Sequence, residues 1–203
     1  IAALLVGVWL SPRFAIVGAA YLALNIAYSF ALKHVPFVDV GCIAAGFLLR
    51  VLGGAYAIPV PPSAWVLVCT FLLASLLGFG KRAHELRVAG QRGSTQRAVL
   101  DAYHPGVLRV LLVVLAGLTT LTYAAYTQSQ HAVMAFGTRG LVLTVPFVAF
   151  GVFRFLHIVG NKADDESPTD SMLHDRLFLL NILLYTAAIV VVIYTHMADK
   201  FAP

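Results

Sequence analysis

Long apolar runs alternate with short polar breaks along the whole chain. The runs cover residues 1–10, 14–32, 37–57, 64–80, 105–127, 140–157 and 177–196. A bilayer core about 30 Å thick is crossed by about 20 apolar residues in an α-helix. Six runs are long enough to span, and the first, 1–10, reads as part of a span. None alternates apolar with polar positions, as barrel strands do. The pattern predicts an all-α, polytopic transmembrane helical bundle, with one integral membrane domain over residues 1–203.

Composition sharpens this picture. Of the 203 residues, 60% are hydrophobic and 11% charged, and the mean hydropathy is +0.87. A soluble domain is nearer a quarter charged. Cys42 and Cys69 lie inside apolar runs, with neither metal nor disulfide spacing, and read as small buried hydrophobes. The chain opens on Ile1 in mid-span, with no basic n-region or small-residue cleavage site. It reads as the trailing part of a longer protein whose first spans lie upstream.

Charge sets an expected orientation. The breaks at 33–36, 81–104 and 159–176 hold Lys33, Lys81, Arg82, Arg87, Arg92, Arg97, Lys162 and Arg176. The alternate breaks and the tail hold Arg13, Arg139 and Lys200. Eight against three places the first set in the cytoplasm, by the positive-inside rule. An inner (plasma) membrane location is expected. Glu85, Asp101, Asp164, Asp165, Glu166, Asp170 and Asp175 fall on that same side, with Tyr103, His104 and His174. Ordinary solvated loops would explain the bases. The mixture with acids suggests a chamber open to the cytoplasm.

Three clusters carry candidate chemistry. In the first, Tyr28, Lys33, His34 and Asp39 straddle a short turn around Pro36. Lys33 and His34 could donate to phosphate. A carboxylate at Asp39, just inside a span, is costly unless paired or bound to a cation, although a helix N-terminus alone would favour it. Arg50 lies on nearly the same helix face, about three turns deeper. It is out of reach of Asp39, and it lines the same cavity, snorkels or holds a neighbouring carbonyl. The second cluster is "GKRAHELRVAGQRGSTQR". Lys81 and Glu85 form an i,i+4 pair if the helix continues. Arg92 and Arg97 flank a glycine-rich basic loop suited to phosphate. The third is "NKADDESPTDSMLHDR", mostly a solvated loop. Its Asp170 and Asp175 are placed to hold a basic partner, beside Arg176.

At "YSFALKH" with Asp39, "GFLLRVLGG", "SAWVLVCTF", "GKRAHEL" and "TDSMLHDR", the chain resembles the UbiA superfamily of intramembrane prenyltransferases. Within it the likeness is greatest to the decaprenyl-phosphate phosphoribosyltransferase branch, over nearly the whole chain. The resemblance implies nine spans around a central cavity open to the cytoplasm, with this chain beginning in the third. It implies transfer of phosphoribose from phosphoribosyl diphosphate (PRPP) to a polyprenyl phosphate, with Mg2+ assisting and diphosphate leaving, a step toward cell wall lipids. The Asn/Asp-rich motif that holds magnesium in UbiA enzymes is not in this chain, so its metal ligands are unknown. Where prenyltransferases carry a second aspartate-rich motif, this chain has "KRAHEL". Two bases there favour gripping phosphate directly.

Catalytic roles are then expected for Lys81, Arg82 and Glu85, with Glu85 orienting Lys81 or binding a ribose hydroxyl. Substrate contacts are expected from Tyr28, Lys33, His34, Asp39, Arg92, Arg97, Tyr103, Asp175 and Arg176. The partners implied are PRPP, the lipid phosphate and the bilayer. Nucleic acid is not among them, and a homo-oligomer is compatible with such a bundle. The alternative enzyme is a prenyltransferase acting on an aromatic acceptor, which would need the second acidic motif. A transporter would spread its charges through the bilayer depth, whereas here they crowd at one face. A purely structural membrane subunit is the third alternative.

Overall fold

The computed structural model describes residues 11–58, 60–92, 100–161 and 167–201. Every regular element among them is helical. The α-helices are α1 (Pro12–Phe30), α2 (Val38–Ala57), α3 (Ala64–Arg92), α4 (Pro105–Gln128), α5 (Gln130–Phe136), α6 (Val145–Asn161), α7 (Pro168–Leu173) and α8 (Arg176–Phe201). Single 3-10 turns precede α2, α4 and α6, at Leu32–His34, Leu100–Ala102 and Gly140–Thr144. Six helices are long and apolar enough to cross a membrane, the fifth being Gly140–Asn161 with its 3-10 entry. The protein is an integral, multi-pass membrane protein. The six coincide with the six long apolar runs. The run 1–10 lies outside the described residues.

Local chemistry sets the helix ends. Pro12 and Pro105 open α1 and α4, where a missing N–H costs nothing. Ser129 and Ser167 cap α5 and α7 through their hydroxyls. Gly137 closes α5 in the left-handed region at φ 74°. The two short helices escape a reading based on span length.

One boundary differs from expectation. The apolar run ends at Gly80, but α3 continues to Arg92. Ala, Leu, Arg and Glu after Gly80 are good helix formers, and hydropathy reports lipid contact rather than helicity. At 29 residues, α3 is about 43 Å long. It therefore carries its last turns beyond a hydrocarbon core of about 30 Å.

Neighbouring spans pack in chain order, α1 on α2, α2 on α3 and α3 on α4, and α6 touches α3, α4 and α8. The main core lies between α3, α4 and α6, around Leu76, Leu112, Leu115, Val152 and Phe155. The "GFG" of residues 78–80 makes these contacts close. A Cβ on Gly78 would meet Val40 Cγ1 of α2 at 2.6 Å, and one on Gly80 would meet Phe155 Cε1 of α6 at 2.7 Å. Two glycines two residues apart point to opposite sides of α3. They let α2 approach on one side and α6 on the other.

Candidate functional site

The end of α1, the start of α2, the end of α3 and the start of α4 meet at one end of the bundle. Charged side chains of α2 and α3 are joined there. Asp39, in the first turn of α2, is 1% exposed, and Arg82 of α3 is 3% exposed. Arg82 Nε lies 3.6 Å from Asp39 Oδ2. Its Nη1 lies 2.7 Å from Glu85 Oε2, one turn on. One guanidinium thus sits between two carboxylates. Burial of a charge is tolerable only with such partners. Asp39 Oδ2, Arg82 Nε and Glu85 Oε2 are buried yet lack an aligned hydrogen bond among the described residues. They are held by charge and keep hydrogen-bonding capacity.

Tyr103 completes the cluster from the stretch before α4. Its hydroxyl donates to Asp39 Oδ1 at 2.7 Å and accepts from the Phe37 N–H at 2.6 Å. Phe37 holds φ 64° and ψ −37°, a conformation that costs a non-glycine residue about 1–3 kcal/mol. Its ring packs on Tyr103 at 4.9 Å and on Phe79 at 5.9 Å. The tyrosine therefore fixes both the backbone entry to α2 and the carboxylate in its first turn. Burial, and then the hydrogen bond to Asp39, push the Tyr103 phenol well above its ordinary range. It remains a donor across the physiological range.

Of the twelve residues singled out from sequence, four converge here: Asp39, Arg82, Glu85 and Tyr103. Lys81 is exposed beside them, at the rim. Glu85 pairs with Arg82 rather than with Lys81, because the i,i+3 guanidinium is held in place by Asp39 while the lysine is left to solvent. Lys33 and His34 lie in the 3-10 turn leading to Asp39, half-buried and exposed. Arg92 is the last residue of α3, and Arg97 lies outside the described residues, as do Lys162 and the acids at 164–166.

Others go elsewhere. Tyr28 lines a pocket of about 130 Å³ between α1 and α2, shared with Tyr21 and Arg50. Arg50 donates to the Tyr21 hydroxyl at 2.6 Å, and its guanidinium lies over the Tyr21 and Phe47 rings. It holds a phenol, not a carbonyl. Asp175 accepts both guanidinium bonds of Arg154, at 3.1 and 2.6 Å, so it does hold a basic partner. Asp170 instead accepts from the Ser167 hydroxyl in the cap of α7. Arg176 opens α8 in an exposed position. Phe37 was not singled out from sequence. Its strained backbone leaves no compositional trace.

No group of three or more His, Cys, Asp or Glu among the described residues is placed to hold a metal ion. Asp39 and Glu85 already share one guanidinium between them, so this pair does not fit magnesium.

No protein-family profile matches the chain. Curated relatives do. The chain is 29% identical, over 96% of its length, to a decaprenyl-phosphate phosphoribosyltransferase of Mycolicibacterium smegmatis. It is 29% identical over 91% of its length to the protein of that name in Mycobacterium tuberculosis, and 29% over 86% to that of Corynebacterium glutamicum. It spans 63%, 60% and 52% of those proteins. Homology to proteins of this name over most of the chain is consistent with a relationship to the UbiA superfamily.

Proposed function

We propose that the protein carrying this chain is a membrane enzyme that transfers 5-phosphoribose from PRPP to a polyprenyl phosphate, releasing diphosphate at the cytoplasmic face. The observation that carries this reading is the rim of the buried cluster. Lys81 stands exposed beside a guanidinium clamped by two carboxylates, where an aromatic prenyltransferase would need a second acidic motif. The names of the relatives support the same chemistry.

In this reading, an oxygen of the lipid phosphate forms a bond to ribose C1. The bond from C1 to diphosphate breaks, and the diphosphate leaves with the electron pair. The acceptor is already an anion, so no strong general base is needed. Lys81 meets the negative charge that develops on the leaving group. Lys33 and His34, in the 3-10 turn that leads to α2, add donors for the same phosphates. Glu85, the more exposed carboxylate of the pair, accepts from a ribose hydroxyl. Arg82 is a positioning residue, since burial and two carboxylates keep it from the substrate. The pair Asp39 and Glu85 does not fit magnesium, so no metal-binding role is assigned to these two residues.

The test is incubation of the purified protein with labelled PRPP and polyprenyl phosphate, beside a prenyl diphosphate with an aromatic acceptor. Label in the lipid product is expected. Prenylation of the aromatic without labelled lipid would overturn the reading. Lys81→Gln removes one charge-assisted hydrogen bond, worth about 1.5–3 kcal/mol. At about 1.4 kcal/mol per tenfold, PRPP should bind about ten- to a hundredfold more weakly. Affinity for the lipid acceptor should change much less.

A further inference from the structure

A second basic feature lies on the back of α3. At about 100° per residue, Ala83, Leu86 and Arg87 sit roughly 140–240° around the helix from Lys81. Ala83 and Leu86 pack against Leu100, Tyr103 and Leu108, and Arg87, about 140–200° around the helix from Arg82 and Glu85 by the same geometry, is turned away from the ion cluster. All three line a groove of about 660 Å³ between α3, α4 and α6. Its polar lining includes Arg87, Arg109 and Asn161, and no described residue that lines it is acidic. Arg87 donates to the Gly160 carbonyl, which uses one of its five N–H groups. Arg109 is exposed and has no ion pair among the described residues. The first turn of α4, at Pro105 and Gly106, forms the groove's outer edge.

The groove is also amphipathic. Leu112, Val113 and Leu156 line its deeper part. Val113 is 58% exposed and belongs to an outward stripe of α4 with Val110, Val114, Leu118 and Leu121. This stripe faces lipid in a spanning helix. The groove thus opens at the protein–lipid boundary. Arg87 lies about 35 Å along α3 from Ala64, at headgroup depth for a core of about 30 Å. Arg109 lies about 6 Å along α4 from Pro105.

We propose that this groove is a binding site for an anionic membrane phospholipid. The headgroup phosphate lies between Arg87 and Arg109, and one acyl chain lies along Leu112, Val113 and Leu156. Two arginines, with no carboxylate among the described lining residues, select an anion, and the lipid-facing apolar floor selects a lipid over a free phosphate. Basic pockets between spans at this depth recognise anionic headgroups in this way. The site stands whether or not the proposed transfer reaction is right.

The test is thermal unfolding of the purified protein in mild detergent, titrated with phosphatidylglycerol or phosphatidylcholine in mixed micelles. Phosphatidylglycerol should raise the midpoint, and phosphatidylcholine should not. Arg109→Gln, which breaks no hydrogen bond or ion pair among the described residues, should need about fivefold more phosphatidylglycerol for the same rise. Arg139→Gln, at the opposite end, should behave as wild type. Native mass spectrometry should find phosphatidylglycerol retained on wild type and depleted on Arg109→Gln. An equal response to both lipids, an unchanged titration in Arg109→Gln, or the same rise from inorganic phosphate alone would each overturn the proposal.

Discussion

Lys81 and Arg82 are neighbours with the same charge, yet their surroundings give them opposite parts. Arg82 is the cation of a buried ion cluster, and replacing it leaves Asp39 and Glu85 close together without a counter-charge. Arg82→Met should therefore cost about 3–5 kcal/mol of stability, read as a fall in the thermal midpoint. Lys81→Gln should leave that midpoint nearly unchanged while weakening PRPP binding. If the two variants lose stability equally, the assignment of Arg82 to the framework fails. Tyr103→Phe probes the third member. It strips a donor from Asp39 and an acceptor from the strained Phe37 N–H, at about 1–3 kcal/mol. The phenol ionises near 10 when unfolded and at higher pH when folded. Its contribution is fully present below about pH 10 and is lost as pH rises through the folded value. The gap in stability between wild type and Tyr103→Phe should stay constant below pH 10 and narrow above it. A gap that closes at neutral pH would contradict the buried, protonated phenol. Sequence made Asp39 legible, because a carboxylate inside an apolar run demands a partner. It did not identify that partner, since Arg82 and Tyr103 lie 43 and 64 positions away and only packing brings them together.

Among the elements, α3 organises the rest, and its glycines are the means. Gly78 and Gly80 admit Val40 and Phe155 where a methyl group would not fit. Gly80→Ala should overpack the α3–α6 contact at about 1–3 kcal/mol. Gly117→Ala is the control, because no atom of the described residues beyond the helix's own neighbouring backbone lies within 4 Å of the added carbon. There the gain in helix propensity should stabilise by up to about 1 kcal/mol. Thermal midpoints that move together, in either direction, would mean that the close approach at Gly80 is not limiting. The six spanning helices were readable because lipid demands long, unbroken apolar stretches and loops collect the charge. The last three turns of α3 were not, because a helix leaving the membrane becomes polar without ceasing to be a helix. The pairing of Glu85 with Arg82 instead of Lys81 follows from that same continuation. Spacing allowed both partners, and only Asp39 on α2 decided between them.

At the scale of the molecule, the ends of the bundle differ in chemistry. One end ties α2, α3 and α4 through Asp39, Arg82, Glu85 and Tyr103, and ties α6 to α3 and α8 through Arg87–Gly160 and Arg154–Asp175. Near the opposite end, Tyr123 meets the Thr144 hydroxyl at 2.8 Å and the Tyr185 hydroxyl at 3.1 Å. Neutral hydroxyls suffice there. This asymmetry is what a donor carrying several phosphates would require, since a water-soluble polyanion can be gripped only at an aqueous boundary lined with cations. It also agrees with the distribution of basic residues, from which the ionic end is expected in the cytoplasm. The two arguments are independent, as one concerns insertion and the other binding, and a single measurement tests the side they share. In a variant with Cys42 and Cys69 replaced by Ser, new cysteines at Ala102 and Gln128 mark exposed positions at the two ends. In intact cells an impermeant thiol reagent should label Gln128→Cys and spare Ala102→Cys until the membrane is opened. The reverse pattern would place the ionic end outside the cell, away from a cytoplasmic supply of PRPP, and would remove the proposed reaction together with the orientation.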